Sequence, residues 1–193
     1  MRILKGDYYI KNAKCHDSGD KIRIIFDWPI GIQQVYIFID ELSDNGKLFT
    51  LQEYKKHGGF VTEKVHGETK YYIYPSTRKS GEDVLYEQNG DNFVCFIEKT
   101  TINCHIHSAI GKKYVNHEVS LSANYRVESD IICYVKKKNA PPMDITDGTL
   151  YYLSEAIEPG DVLTRIIRTA QNEYLRFFVI DNEKRNIYGI VQT

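Results

Sequence analysis

Apolar and polar residues alternate with a period of two along much of the chain, a pattern typical of β-strands that bury one face. From Lys21 to Trp28 every second residue is apolar, and Arg23 and Asp27 lie on the opposite face. Val35 to Ile39 is apolar on both faces, which predicts a central strand. The same reasoning predicts strands at Tyr71 to Tyr74, Phe93 to Ile97, Thr101 to His107, Ile131 to Val135, Leu150 to Leu153, Val162 to Arg168, Tyr174 to Ile180 and Ile187 to Val191.

Turns that contain glycine separate several of these segments. Asn89-Gly90 lies between two strand-like segments and predicts a β-hairpin, because both residues tolerate positive φ. Asp147-Gly148 and Pro159-Gly160 indicate further turns. Short strands separated by such turns favour sandwiches or barrels over βαβ units. We therefore predict an all-β chain that forms two tandem antiparallel β-sandwich domains.

The predicted boundary follows residue 108, which gives domains at residues 1–108 and 109–193. We place it there because Ser108 to Glu118 has the weakest hydrophobic pattern and contains Gly111. A chain of 193 residues is long enough for two domains that each bury a core of their own.

One short helix is predicted in the first domain, near residues 50–57. Thr50 is a suitable N-cap residue, and Glu53 three positions later completes a capping box. Glycines at positions 58 and 59 provide a C-terminal stop. Because about two turns of helix are not stable alone, we expect this helix to dock on a sheet through Leu51 and Tyr54.

Two segments of the first half carry aromatic residues at positions that are informative about the family. The strand pattern from Lys21 to Pro29 ends with Trp28, and Tyr36 opens the next strand. Further on, Val65-x-Gly67-x-Thr69-x-Tyr71 ends in a tyrosine. Together these segments resemble fibronectin type III domains, a family with an immunoglobulin-like β-sandwich fold.

The resemblance implies that Trp28, Tyr36 and Tyr71 are core residues, with the Tyr71 hydroxyl bonded to backbone as in a tyrosine corner. It also implies a module that binds proteins or acts as a spacer, which is an argument by fold analogy. Val65 and Gly67 stand where the family has leucine and proline, and the predicted helix interrupts the expected strand order. The second half carries no signature of a named family.

Charge and hydropathy argue against two classes of partner. The chain has 25 Lys and Arg against 26 Asp and Glu, and neither half is strongly basic, so we predict no nucleic-acid partner. The three lysines from Lys136 to Lys138 are interpreted as a solvated loop. No apolar segment approaches the ~18 residues of a membrane span, so we expect no membrane partner.

Cysteine spacing and short motifs indicate compartment and chemistry. The N-terminal residues lack a signal-peptide pattern, and the cysteines at 15, 95, 104 and 133 show no C-x-x-C spacing. We therefore expect reduced thiols and a cytoplasmic location.

No nucleotide-binding or hydrolase signature is present, so we expect no cofactor and favour a non-catalytic protein, with enzymatic activity left open. The carboxylate pairs Asp40-Glu41 and Glu82-Asp83 are interpreted as solvated turns.

Histidines provide the main metal-like signal. On a strand, His105 and His107 project from the same face, where two imidazoles could chelate zinc, and His117 could supply a third ligand. The alternative is a pair of exposed histidines on a solvated strand face.

The candidate binding residues are Arg176, Tyr174 and Arg165. Arg176 alternates with Leu175 and Phe177, and arginine among aromatic residues is the composition of interface hot spots. The alternative is a surface salt bridge, which contributes little stability.

Three functions are compatible with these observations. The first is a non-catalytic protein-interaction or scaffold module whose partner is another protein, since catalytic signatures are missing and the charge is balanced. The second is a carbohydrate-binding module that uses exposed tyrosines, of which the chain has 15 in all. The third is a metal-binding protein or metalloenzyme centred on His105 and His107.

Overall fold

The computed structural model describes residues 2–40 and 45–193, and most of these residues belong to β-strands. The described part contains one α-helix, which confirms the prediction of an all-β chain with a single short helix. The chain divides into two compact units, the first ending at Glu98 and the second beginning at Lys99. Residue 108, the predicted boundary, lies inside a strand, because the segment expected to be a linker forms a β-hairpin.

The first unit contains nine strands and the helix in its described residues. They are β1 (Arg2–Leu4), β2 (Lys11–Ser18), β3 (Lys21–Asp27), β4 (Gln34–Ile39), β5 (Lys47–Thr50), α1 (Leu51–His57), β6 (Phe60–Glu63), β7 (Gly67–Lys79), β8 (Glu82–Tyr86) and β9 (Phe93–Glu98). One sheet has the order β2-β3-β6, and the other has the order β1-β8-β7-β4-β5 with β9 also paired to β7. All pairs in this unit are antiparallel except β1 with β8.

The two sheets of the first unit share one apolar core. Period-two alternation directs Ile22 and Ile24 of β3 inward, while Val35 of β4 and Ile73 of β7 come from the other sheet. All four are fully buried, and burial of each such side chain stabilises the fold by about 1.5–3 kcal/mol.

The long strand β7 overturns the predicted hairpin at Asn89-Gly90. Strand β9 pairs with the first half of β7 and β8 pairs with its second half, so both lie on the same side of β7, opposite β4. The segment with Asn89-Gly90 therefore connects two strands that pair with different parts of β7, and it does not close a hairpin between β8 and β9. The hairpin turn lies instead between β7 and β8, where Ser80 and Gly81 both have positive φ.

The helix α1 forms as predicted, with its capping box complete. The Thr50 hydroxyl accepts a hydrogen bond from the Glu53 N–H at 3.3 Å, and Glu53 Oε2 accepts one from the Thr50 N–H at 2.8 Å. Gly58 ends the helix in the left-handed conformation. The ring of Tyr54 packs on Phe26 and Trp28, which docks the helix on the core.

The aromatic residues expected in the core have three different positions. Tyr71 is fully buried, and Trp28 is partly exposed and packs against the core. Tyr36 lies on the outer face of its sheet, where its hydroxyl donates to Asp83 Oδ2 at 2.6 Å, so its predicted core position is wrong. The Tyr71 hydroxyl has no hydrogen-bond partner among the described residues, so the expected backbone bond is not seen.

Of the two carboxylate pairs interpreted as solvated turns, Glu82 and Asp83 lie within β8. Glu41 of the other pair lies outside the described residues.

The second unit contains seven strands. They are β10 (Thr100–Ile110), β11 (Tyr114–Ala123), β12 (Ile132–Lys138), β13 (Thr149–Tyr152), β14 (Leu163–Ala170), β15 (Glu173–Val179) and β16 (Tyr188–Gln192), with a 3-10 turn at Glu183–Asn186. One sheet has the order β14-β11-β10-β16, and the other has the order β13-β12-β15. Both contribute to a core that includes Ile102, Leu121, Ile132 and Phe177.

The two units share a connectivity that no sequence repeat reveals. With β1 and β8 set aside, the first, second and fifth strands of each unit form one sheet, and the third, fourth and sixth form the other. The units differ in their seventh strand. In the first unit it is β9, which pairs with the sixth strand β7; in the second it is β16, which pairs in parallel with the first strand β10.

Candidate protein-interaction surface

The strand register separates the three predicted metal ligands. His105 and His107 project from one exposed face of β10, as expected from their spacing. His117 of β11 is opposite Ser108, so it lies on the other face of the same sheet. The described residues contain no group of three His, Cys, Asp or Glu side chains placed to hold a metal ion.

Both ring nitrogens of His117 form hydrogen bonds with hydroxyl groups. Its Nδ1 lies 2.8 Å from Ser108 Oγ and its Nε2 lies 2.9 Å from Thr169 Oγ1. Burial, and secondarily the charge of Lys136, lowers the pKa of His117, so the neutral imidazole is favoured. Both ring nitrogens are therefore engaged in bonds that hold β10, β11 and β14 together.

Arg165 is separated from the other two predicted binding residues. It lies on β14, in the four-stranded sheet, and its guanidinium forms an ion pair with Glu155. Tyr174 and Arg176 lie on β15, in the three-stranded sheet. The structure thus brings Tyr174 and Arg176 together and places Arg165 elsewhere.

Tyr174, Arg176 and Phe178 form a row on the outer face of β15, which we call the β15 ridge. Their alternation with Leu175 and Phe177 directs them away from the core. The Arg176 guanidinium carbon lies 5.5 Å from the centre of the Phe178 ring, a cation–π geometry. Phe178 was missed in the sequence, although it continues the period of two set by Tyr174 and Arg176.

The centre of the outer face beside the ridge is covered by the segment 139–148, which we call the 139–148 loop. On this face, Cys133 and Val135 of β12 are fully buried although they do not belong to the main core, and Val135 lies next to Gly148 of the loop. Lys137 holds the loop through an ion pair of 2.6 Å with Asp147. At Gly148 the loop approaches β12 so closely that an added Cβ would lie 2.5 Å from the Lys136 carbonyl oxygen.

The interpretation of Lys136 to Lys138 as a solvated loop is therefore wrong. All three residues belong to β12. The Lys136 ammonium lies 4.8 Å from the centre of the Tyr151 ring and donates to the Arg168 carbonyl oxygen at 2.7 Å. At Lys136 and Lys137 the long lysine stem reaches a polar or aromatic partner, which for Lys137 is Asp147.

One edge of β15 is not paired with another strand. In the sheet formed by the described residues, β15 is the last strand, with β12 on one side alone. Backbone hydrogen bonds join Ile180 to Ile131 and Asn172 to Asn139, so the even-numbered residues of β15 bond to β12. The odd-numbered residues Leu175 and Phe177 therefore direct their N–H and C=O groups to the open edge. There the Phe177 N–H donates to Gln192 Oε1 at 3.2 Å.

A cavity of about 330 Å³ opens at the Val179 end of this edge, and we call it the edge notch. Its lining comes from β15, from the 3-10 turn, from β16 and from the 139–148 loop, and includes Phe177, Val179, Arg185, Tyr188 and Ile190. Met143 of the loop also lines the notch and is 73 % exposed, so an apolar side chain entering the notch would find an uncovered apolar surface.

Two arginines lie at or next to the notch, since Arg185 lines it and Arg176 lies on the ring of Phe178, which also lines it. Neither Arg176 nor Arg185 is within ion-pair distance of a carboxylate among the described residues, whereas Lys184 lies 3.8 Å from Asp130. Asp144 also lines the notch, but its carboxylate accepts hydrogen bonds from the N–H and hydroxyl of Thr146 at 2.7 Å. Two guanidinium groups are thus available to a negatively charged ligand.

The chain was compared with protein-family models and with curated proteins. No protein-family model matches it, and no curated protein is similar enough in sequence to count as a match. In the described residues, no helix is long and apolar enough to cross a membrane.

Proposed function

We propose that this chain is a non-catalytic protein-interaction module and that the β15 ridge, with the edge notch, is its binding surface. The observation that carries the proposal is the position of Arg176. Its guanidinium is exposed and lies on the ring of Phe178, which itself lines an apolar cavity beside an unpaired strand edge. Arginine and aromatic residues around a concave apolar centre are the features of interface hot spots.

We further propose that each unit is a sandwich of the fibronectin type III and immunoglobulin-like type. In such sandwiches the first, second and fifth strands form one sheet and the third, sixth and seventh form the other. The first unit follows this rule for all of these strands, and the second follows it except for β16. The fold analogy supports a binding or spacing role, since these sandwiches commonly serve as cell-surface and recognition modules.

A reducing, cytoplasmic compartment is part of the same proposal. All four cysteines are free thiols, and two of them, Cys104 and Cys133, are buried. Burial raises the pKa of the Cys104 thiol to about 12 and that of Cys133 to about 11, so both are kept protonated. Free thiols are typical of proteins that work in reducing compartments.

Carbohydrate binding is less well supported than protein binding. Two of the exposed tyrosines already make contacts within the molecule, because Tyr114 lies under the Arg168 guanidinium and Tyr151 stacks on Tyr134. Metal binding at His105 and His107 would need ligands from outside the described residues, and His105 Nδ1 already lies 2.6 Å from Thr193 Oγ1. Both functions stay predictions from the sequence.

A matched pair of arginine variants tests the proposal. Arg176→Ala removes the guanidinium from the β15 ridge, and Arg168→Ala removes one that lies at the same 5.5 Å from the Tyr114 ring on the other sheet. A photo-crosslinking residue in place of Tyr174 is used to capture partners in cells that express the native protein. We expect a discrete protein adduct whose yield falls at least ~10-fold with Arg176→Ala and not with Arg168→Ala. Equal yields in the two variants would contradict the proposed surface.

A further inference from the structure

The sixth strand of the second unit lacks a pairing that the sixth strand of the first unit has. In the first unit, the sixth strand β7 is flanked by β4 on one side and by the seventh strand β9 on the other. In the second unit, the sixth strand β15 is paired with β12 alone among the described strands, because the seventh strand β16 pairs with β10. Among the described strands, none pairs with β15 at the position that β9 takes in the first unit, although β16 lies close by and its Gln192 side chain accepts a hydrogen bond from the Phe177 N–H.

We infer that an extended, acidic peptide segment of a partner protein adds to the open edge of β15, in the position that β9 takes in the first unit. This inference rests on the proposed function and states the kind of partner. The internal comparison also gives the direction, since β9 runs antiparallel to β7. Strand addition of this kind gains affinity from main-chain hydrogen bonds and specificity from pockets for alternate side chains.

The main-chain groups needed for strand addition are already in place. Leu175 and Phe177 are two residues apart and present N–H and C=O groups to the same edge, as an antiparallel partner requires. Gln192 satisfies the Phe177 N–H from its own side chain. An incoming strand would displace this side-chain amide and replace one side-chain bond with a ladder of backbone bonds.

The two arginines and the edge notch indicate which side chains the added peptide segment would carry. Successive side chains of an added strand point to opposite faces, so alternate residues would meet the ridge face and the core-side face at this edge. Arg176 and Arg185, which have no carboxylate partner in the described part of the chain, favour glutamate or aspartate. The apolar lining from Phe177, Val179 and Ile190 favours a β-branched or aromatic residue in the edge notch.

The probe for this inference is a short synthetic peptide of alternating valine and glutamate. Two control peptides differ in one property each. The first carries N-methyl groups on alternate amides, which removes the donors of one edge, and the second has lysine in place of glutamate. Binding is measured by titration calorimetry, and the site by amide hydrogen exchange read out residue by residue.

We expect slower exchange at Leu175 and Phe177 in the presence of the glutamate peptide, with roughly tenfold weaker binding of each control peptide. Arg185→Glu is expected to abolish the preference for the glutamate peptide over the lysine peptide, because it leaves one positive and one negative side chain at the site. Gln192→Ala is expected to strengthen binding by a few-fold, because it removes the competitor for the Phe177 N–H. Equal affinity for the methylated peptide, or no binding of the glutamate peptide at millimolar concentration, would overturn the inference.

Failure of the inference can be separated from failure of the proposed function. If a crosslinked partner depends on Arg176 but leaves exchange at Leu175 and Phe177 unchanged, strand addition is wrong and the interaction surface stands. If the peptide slows exchange at these amides while Arg176→Ala leaves the yield of the crosslinked adduct unchanged, the edge binds strands and the ridge is not the native contact.

Discussion

Tyr54 of the helix replaces a missing strand beside Phe26. Its hydroxyl accepts a hydrogen bond from the Phe26 N–H at 2.9 Å and donates one to the Phe26 carbonyl oxygen at 2.7 Å. Strand β6 pairs with β3 only as far as Ile24, so beyond that point the ladder has no strand to continue it. The short helix is therefore part of the sheet's hydrogen bonding as well as of its core.

Tyr54→Phe is expected to destabilise the first unit by about 1–3 kcal/mol. The ring remains, but the N–H and carbonyl of Phe26 lose their partner in a partly buried place, and such loss costs about this much. The free energy of unfolding is measured in urea, with Tyr174→Phe as the control because that tyrosine is 46 % exposed. Equal midpoints for the two variants would show that the Tyr54 hydroxyl has no role in the ladder.

Thr50→Ala is expected to lower the unfolding free energy by about 1 kcal/mol, because it removes the acceptor for the Glu53 N–H at the start of the helix. Thr50→Ser keeps the hydroxyl and serves as the matched control. Both variants are compared by urea unfolding at one pH. A stability of Thr50→Ala equal to that of Thr50→Ser would mean that tertiary contacts alone hold the helix in place.

The features that sequence reasoning predicted correctly are local ones. The period of two located β3 and β15, and the spacing of Thr50 and Glu53 located the helix, because each signal depends on neighbours in the chain. Pairing between distant strands is not encoded in this way. Nothing in the segment around Asn89 specifies that β8 and β9 both pair with β7, which runs for 13 residues.

The same limit applies to the candidate site. Alternation placed Tyr174 and Arg176 on one face, and it would have added Phe178. It could not place Arg165 in the other sheet or His117 on the opposite face from His105, because both depend on which strands pair and in which register. The open edge of β15 is likewise a property of the pairing of β16, whose own pattern is compatible with either sheet.

The pH dependence of stability tests the environment of His117. Its pKa is lowered in the folded state by burial and then by Lys136, so between that lowered value and the ordinary pKa of about 6.5 the unfolded chain binds more protons. The stabilisation is therefore complete above about pH 6.5 and is lost as the pH falls through this window. We expect the unfolding free energy to fall more steeply with decreasing pH in the wild type than in His117→Gln.

The cause of that dependence is checked with a second variant. Lys136→Gln removes the nearby charge but leaves the imidazole between Ser108 and Thr169, so the pKa of His117 is expected to rise part of the way towards its ordinary value. The titration of the His117 ring is followed by nuclear magnetic resonance. A midpoint in the wild type at or above the ordinary value would contradict the neutral, bonded imidazole.

Gly148→Ala tests whether the 139–148 loop is docked on β12. The added Cβ would lie 2.5 Å from the Lys136 carbonyl oxygen and 2.8 Å from Val135 Cγ1, and the residue has a φ of 151°. Gly160→Ala is the matched control, since Gly160 also has positive φ but no atom lies within 4 Å of its added Cβ. We expect Gly148→Ala to be less stable than Gly160→Ala by at least ~1 kcal/mol, because only the first meets backbone.

Thiol labelling separates a displaced loop from a general loss of stability. Cys133 lies on the same face of β12 as Val135, which the loop approaches at Gly148, and burial raises the pKa of its thiol to about 11, whereas Cys104 lies in the core between the sheets. In native conditions we expect Gly148→Ala to make Cys133 reactive towards a thiol reagent while Cys104 stays unreactive, and Gly160→Ala to expose neither. Simultaneous labelling of Cys133 and Cys104 would indicate global unfolding, and would contradict a loop that can lift from β12 on its own.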